Sequence, residues 1–343
     1  MSSNMTLPAE WHPQSGIQLT WPHAGTDWNY MLKEVESCYL NIAREIAQRE
    51  ILLIVTPFPD EVESQIKDVV NMENVRFFKC DTNDTWARDH GPISLIDDNG
   101  MNHIYDFKFN GWGLKFASNF DNLITSKADS SNLFNAVYHN KLNFVLEGGG
   151  IESDGKGNLL TTSECLLSKN RNGQYSKQEI ESYLKNAFNV TNVLWVDHGY
   201  LSGDDTDSHI DTLARLCPDD TIAYVQCDDP IDEHFEALHE MEKQLKSFKT
   251  AEGLPFRLVA LPMADAAYEE DERLPATYAN FLIMNEVVLL PTYNSPEKDK
   301  QAKDALQECF PNHEIVCIDC SALIRQHGSL HCVTMQYPEG ILK

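Results

Sequence analysis

Apolar positions along the first eighty residues change period in a way that predicts a βαβ unit. Residues 17–22, Ile-Gln-Leu-Thr-Trp-Pro, alternate as a half-buried strand does. Across residues 27–49 the apolar side chains Leu32, Val35, Tyr39, Ile42 and Ile46 recur at helical spacing, and residues 51–56 return as an unbroken apolar run, short enough for a buried strand. A second helix is predicted over 60–70, with Val62, Ile66 and Val69 on one side, and a strand over 75–80.

From there one pattern occurs five times: an apolar strand, a polar and turn-rich loop, then another strand. Residues 75–80 lead into Thr85-Trp-Ala-Arg-Asp-His-Gly-Pro92, and residues 144–146 into Glu147-Gly-Gly-Gly150. Residues 193–196 precede the loop at 203–211; residues 256–261 precede 262–280; residues 315–318 precede His327-Gly-Ser-Leu-His-Cys332. The first strands begin roughly 50 to 70 residues apart, a spacing that suggests stacked or radial units. Connecting segments read as helices over 178–188, 231–248 and 296–310, whereas 119–138 has no clear period. No linker or low-complexity segment interrupts the chain, so residues 1–343 are read as one α/β domain of five similar modules. An ordinary doubly wound sheet would also alternate in this way.

In the modular reading the five loops meet at one end of the repeat axis. They carry Asp89, Glu147, Asp204, Asp205, His209, Asp211, an acidic stretch at 269–272, and Cys332. The segment 203–211 alone holds four carboxylates and a histidine in nine residues. If it enters a strand, the spacing of two puts His209 and Asp211 on one face with Ile210 packed behind. Such a pair can bind a metal, orient a base, or hold a cation while the imidazole moves a proton.

Composition narrows the class. At 343 residues with 42% hydrophobic side chains, the chain can bury a large core without staples. Nine cysteines without Cys-x-x-Cys, behind a polar N-terminus with no apolar segment, predict reduced thiols in the cytoplasm. No apolar run approaches the ~20 residues of a membrane span. A formal charge of −26 argues against nucleic acid and anionic membrane as partners and favours a cationic ligand.

A cysteine nucleophile needs a thiolate, a proton donor for the leaving group and a base to deliver water; Cys332 and His209 can fill these roles. Gly328 allows a sharp approach before Cys332, and the other cysteines, such as Cys38, Cys309 and Cys317, fall in helices or strand interiors as core candidates. Carboxylates around a thiol raise its pKa, so the arrangement makes sense if the substrate is a cation. Two aspartates can clamp a guanidinium through charge-assisted hydrogen bonds, and the bound cation then favours thiolate. The competing chemistry is a zinc or manganese site using His209 with Asp211, His103, His198 or His331, but no His-Glu-x-x-His, clustered cysteine pair or EF-hand spacing is present. Glu147-Gly-Gly-Gly150 lacks the Lys and Ser/Thr of a phosphate loop, and Gly-x-Ser-x-Gly is absent.

With these residues on the page, nearly the whole chain resembles the agmatine deiminase and Porphyromonas-type peptidylarginine deiminase family, guanidine-modifying enzymes with the pentein fold. The resemblance rests on Trp86-Ala-Arg-Asp-His-Gly-Pro92, Asn110-Gly-Trp-Gly113, Glu147-Gly-Gly-Gly-Ile-Glu152, Thr161-Thr-Ser-Glu-Cys-Leu166, His209-Ile-Asp211, Arg273-Leu-Pro-Ala-Thr-Tyr-Ala-Asn280 and Leu330-His-Cys-Val-Thr334. It implies a five-bladed, pseudo-symmetric α/β propeller and a covalent mechanism without cofactor or metal. In that mechanism Asp89 and Asp211 bind the guanidinium, and Cys332 attacks its carbon. His209 protonates the departing ammonia and then activates water, Glu147 holds His209, and Trp86 lies along the substrate. A homo-oligomer is compatible with the resemblance.

Two departures bear on the substrate. Agmatine deiminases read Asn-Glu-Thr-Asn-Gly before their His-x-Asp, where this chain has Asp204-Asp-Thr-Asp-Ser208. Near the nucleophile they read Gly-Asn-Ile-His-Cys-Ile-Thr-Gln-Gln, where this chain has Gly328-Ser-Leu-His-Cys-Val-Thr-Met-Gln336. Asp205 matches the acidic residue four before the histidine, so with Asp204 it is expected to face a distal amine through a shorter side chain. The expected activity is hydrolysis of agmatine to N-carbamoylputrescine and ammonia. Free or peptidyl arginine, or another alkylguanidine, is the alternative substrate; a non-catalytic polyamine- or guanidinium-binding protein is the alternative class.

Overall fold

The structure, a computed structural model, describes residues 4–343. Among the described residues, five sheets of three or four strands and one two-stranded hairpin form a mixed α/β fold. Every one of the five sheets has the same signature, an antiparallel pair flanked by a parallel strand. Ile151–Ser153, Asn158–Thr162 and Asn192–Val196 form one; Ala214–Cys217, Thr221–Gln226 and Arg257–Pro262 another. Leu282–Met284, Val287–Thr292 and Glu314–Asp319 repeat it, as do Ile93–Asp97, Asn102–Lys108 and Val137–Val145. A parallel neighbour needs a crossover, and each crossover here contains helix: Leu32–Ala47, Ile124–Ser130, Lys177–Phe188, Phe235–Ser247 and Pro296–Cys309. In the remaining sheet Gln14–Thr20 runs parallel to Ile51–Thr56, and its antiparallel partner is Thr334–Pro338 from the other end of the chain. The five strand-and-loop units in the sequence therefore correspond to five ββαβ modules, one completed by the C-terminal strand.

The first crossover shows why the helices form where they do. Val35, Tyr39, Ile42 and Ile46 are fully buried along one stripe of Leu32–Ala47, each such side chain contributing about 1.5–3 kcal/mol by leaving water. Tyr39 meets Trp21 edge to face at 5.4 Å. Lys177–Phe188 is set by a capping box, with Ser176 Oγ accepting from the Glu179 amide and Glu179 Oε2 accepting from the Ser176 amide.

Boundaries shift where local chemistry competes with the apolar period. Residues 27–31 form a 3-10 turn before the first α-helix. The second helix is Pro59–Ile66, leaving Val69 45% exposed. The helix predicted from 231 begins at Phe235, because Asp229 and Asp232 accept from the amides of Ile231 and His234 and hold that stretch as turns. Residues 119–138 contain a 3-10 turn, the helix Ile124–Ser130 and the start of a strand. No helix among the described residues is long and apolar enough to cross a membrane.

Candidate active site

His209 and Asp211 are not on a strand. Asp207 and Ser208 take left-handed backbone angles in succession, and His209 then enters the 3-10 turn Ile210–Thr212. Ile210 is fully buried beneath, so the two polar side chains share a side because of a turn and not because of a pleat. Asp204 builds this loop: its Oδ1 accepts from Thr206 Oγ1 at 2.6 Å and its Oδ2 from the Ser208 amide at 2.8 Å. Both oxygens of Asp204 are used internally, and it does not line the cavity described below.

The deepest residues converge on Gly149. A Cβ there would lie 2.6 Å from His209 Nδ1, 2.9 Å from Asp89 Oδ1 and 3.1 Å from Asp211 Oδ2, so only glycine lets the three groups meet. The Gly149 amide in turn donates to Asp89 Oδ1 at 3.0 Å, and Trp112 Nε1 donates to Asp89 Oδ2 at 2.9 Å. His209 Nε2 is 3.0 Å from Glu147 Oε2, and Arg171 Nε donates to the same carboxylate at 2.8 Å. Arg171 also reaches Asp207 Oδ2 at 2.5 Å and the Thr206 carbonyl at 2.7 Å, tying Glu147 to the histidine loop. Asp211 is fully buried, with Oδ2 held by His331 Nδ1 at 2.7 Å and Oδ1 without any partner. Cys332 Sγ lies 3.3 Å from Asn280 Oδ1, which also accepts from the His331 amide at 2.9 Å.

These groups have distinct charge states. Burial pushes the Cys332 thiol well above its ordinary range, reinforced by Asp211 and Asp89. Burial likewise raises Asp89 to about 6. For His209 burial opposes the charged form, but Asp89 and the other groups around the ring, Glu147 among them, outweigh it and hold the imidazole protonated well above its usual pKa. Burial also works against Glu147, yet Arg171 and His209 keep it below the usual carboxylate range. The site is thus poised as thiol, imidazolium and carboxylates, an arrangement that a bound cation would tip toward thiolate.

Cys332, Asp89 and Trp86 open onto a cavity of about 570 Å³ whose walls include Trp112, Phe116 and Gly328. A Cβ at Gly328 would be 2.1 Å from the Trp86 ring, so the missing side chain is what lets the indole lie against the nucleophile's loop. The lining is acidic: besides Asp89 it includes Asp27, Asp84 and Asp205. Among the described residues no hydrogen bond engages the Asp205 carboxylate, and burial, with Asp204 adding repulsion, raises it to about 6. Burial and Asp27 raise Asp84 to about 7. A second cavity, about 600 Å³, is lined by Leu7, Glu10, Arg88 and Glu152, but none of its lining residues is a cysteine, and its two carboxylates are already paired with Arg215.

The model of the Porphyromonas-type peptidyl-arginine deiminase family matches residues 6–338. The chain belongs to that family. An agmatine deiminase from Pseudomonas syringae pv. tomato is 30% identical, the match covering 97% of this chain and 95% of the relative. Among solved structures, C. jejuni agmatine deiminase with substrate bound has a TM-score of 0.93 at 37% identity, covering 100% of this chain and 98% of that one. A Porphyromonas gingivalis protein provisionally named an arginine deiminase has a TM-score of 0.93 at 50% identity over 99% of each chain.

In this member of the deiminase family Trp112, Asn280 and Arg171 build the site without any role expected from the sequence, and His331, expected only as a metal ligand, joins them. Trp112 and Asn280 end or interrupt motifs quoted above, and His331 adjoins the cysteine, so each had a signal in its position. Arg171, in Lys169-Asn-Arg-Asn172, had none. Burial does not single out Cys332 either, since eight of the nine cysteines are buried; Cys317, expected in the core, is the exposed one. Two clusters have metal-like donors, Glu147 with Cys165 and His209, and Glu10 with Glu152 and His331. Each cluster already has its carboxylates paired with an arginine, Glu147 with Arg171 and Glu10 and Glu152 with Arg215, so a guanidinium supplies the cation there. His103 instead pairs with His139 at 2.9 Å, away from His209.

Proposed function

We propose that the protein is an agmatine deiminase that hydrolyses agmatine to N-carbamoylputrescine and ammonia. The observation that carries the reading is a cavity lined by the Cys332 thiol and by the carboxylates Asp89, Asp205, Asp84 and Asp27, with Asp211 and His209 packed beside Asp89 around Gly149, just behind the lining. That charge pattern suits a substrate cationic at both ends. The guanidinium lies between Asp89 and Asp211 and neutralises the carboxylates that suppress the thiolate. Cys332 releases its proton to solvent and attacks the guanidinium carbon, forming a C–S bond. His209 donates its proton to one amino group, the C–N bond breaks and ammonia leaves an amidinium thioether facing the two aspartates. Neutral His209, held by Glu147, then takes a proton from water as the oxygen attacks the same carbon. The C–S bond breaks, the ureido product forms and the thiolate regains a proton.

Trp86 flanks the alkyl chain, and Asp205 receives the distal ammonium directly or through a water. Arginine would bring a carboxylate to the same acidic lining, where repulsion disfavours it. The five ββαβ modules are read as blades of one catalytic domain arranged radially, with the pairing of Gln14–Thr20 to Thr334–Pro338 joining the first module to the last. The test is formation of ureido product across agmatine, arginine, a peptidyl arginine and an alkylguanidine without the amine. Agmatine is expected to turn over fastest; faster arginine turnover would reassign the substrate, and no turnover of any would favour a binding protein.

A further inference from the structure

Behind Asp211, on the side away from the cavity, lies a buried chain of charges that the reaction above does not use. His331 is 1% exposed and has a carboxylate at each ring nitrogen: Asp211 Oδ2 at 2.7 Å from Nδ1, and Glu10 Oε2 at 2.8 Å from Nε2. A carboxylate accepts and does not donate, so an imidazole that satisfies both contacts donates from both nitrogens. Arg215, fully buried, anchors the far end, pairing with Glu10 at 2.7 Å and Glu152 at 2.5 Å and lying 3.1 Å from His331 Nε2. Its other nitrogen donates to the carbonyls of Ala279 and Phe281, which flank Asn280, the residue that contacts Cys332.

We propose that His331 is a positioning residue for the deiminase reaction, an imidazolium clamped between Asp211 and Glu10 that keeps Asp211 ionised and turns its unpartnered Oδ1 toward the guanidinium. The inference rests on the reading of Asp211 as a guanidinium ligand. Asp211 has little other help. The charged and titratable groups facing it are His331, His209, Arg215, Arg88, Asp89 and Cys332; His209 is shared with Asp89 and Glu147, and Arg215 and Arg88 are shared with Glu10 and Glu152. Around His331 stand Asp211, Glu10, Glu152 and Arg215, with Arg88 acting on Glu10 from beyond. Three carboxylates, Asp211, Glu10 and Glu152, are thereby balanced by His331, Arg215 and Arg88. Removing the imidazolium leaves one uncompensated buried negative charge, which a protein relieves by protonating a carboxylate. Consistent with this, burial works to raise Asp211, but the His331 contact overrides it and holds the group below its ordinary value.

His331→Asn and His331→Ala separate the two contributions. Asparagine keeps an N–H near the Nδ1 position without the charge; alanine removes both. The readout is kcat/KM for agmatine against pH. In the wild type the acid limb is expected to follow the cavity carboxylates that burial raises, Asp89, Asp205 and Asp84, and not Asp211, which titrates lower. In His331→Asn, Asp211 loses the charge that holds it low, so the limb moves to higher pH and steepens by one further proton, while KM at alkaline pH stays within ~3-fold of wild type, as a retained hydrogen bond implies. In His331→Ala KM rises ~10-fold or more at every pH, because orientation is lost as well. Glu10→Gln, remote from the substrate, should move the limb in the same direction by less, and it serves if the alanine variant does not fold. An acid limb unchanged in both His331→Asn and Glu10→Gln, with wild-type turnover normal, overturns the role of His331 and leaves the deiminase reading standing. Absence of any wild-type turnover overturns that reading and this inference with it.

Discussion

His209 and His331 are both buried imidazoles, each joined to carboxylates and backed by an arginine, yet their parts are stacked in opposite order. In one arm Arg171 holds Glu147, Glu147 holds His209, and the histidine faces the reacting region. In the other Arg215 holds Glu10, Glu10 holds His331, His331 holds Asp211, and a carboxylate faces it. In the proposed mechanism the same residue types serve different chemistry according to which one ends the chain. An imidazole at the end can give and take a proton; a carboxylate at the end, kept ionised from behind, can only attract a cation. The inner guanidinium is what permits either arrangement in a buried setting, since a buried carboxylate–histidine pair without it would leave charge unbalanced.

The sharpest way to break this contrast lies where the arms meet. Cys332→Ala is expected to abolish turnover while agmatine binding, followed by calorimetry, persists; retained activity would remove the nucleophile from the account. Next in size, Glu147→Gln should lower kcat by ~10²-fold or more with little change in KM, because it disables proton transfer and not binding. Asp211→Asn should act on the other quantity as well, lowering kcat/KM by ~10²-fold with KM clearly raised, since one side of the guanidinium clamp loses its charge. If steady-state kinetics gave the two variants the same split between kcat and KM, the division of labour would be wrong.

A smaller effect is expected in the cavity lining. Asp205→Asn should raise KM for agmatine ~10-fold, or ~1.4 kcal/mol of binding, and barely affect an alkylguanidine lacking the amine; equal losses would make Asp205 a loop residue as Asp204 is. The smallest belongs outside both arms. Cys309→Ala removes a buried thiol of Pro296–Cys309 and should cost ~1–2 kcal/mol in denaturant unfolding while leaving kcat unchanged.

The fold was legible where periodicity and burial agree, as in Val35 to Ile46, and the five modules could be counted from strand–loop units alone. The closing pair between residues 14–20 and 334–338 was not, because strand pairing across the whole chain has no local signal. At the site, the side chains proposed to meet the substrate are reactive types in turn-rich loops. Their supports did not. Arg171 and Arg215 lie in unremarked helical and strand sequence, and only three-dimensional proximity reveals that each closes a charge balance. Asp204 shows the opposite error: an acidic residue beside Asp205 reads as another substrate contact, yet its oxygens are spent on the amide and hydroxyl of Thr206 and the amide of Ser208, as short acidic side chains in turns commonly are.

Which sulfur becomes amidinated tests the account most directly. Cys165 is the rival by location: it is fully buried, and its Sγ lies 3.8 Å from Glu147 Oε2, near the proton-transfer arm but outside the cavity. Acid-quenching the enzyme during agmatine turnover and mapping its peptides by mass spectrometry should find the amidino group on the peptide containing Cys332 and on no other. An adduct on Cys165, or none while ureido product accumulates, would contradict it.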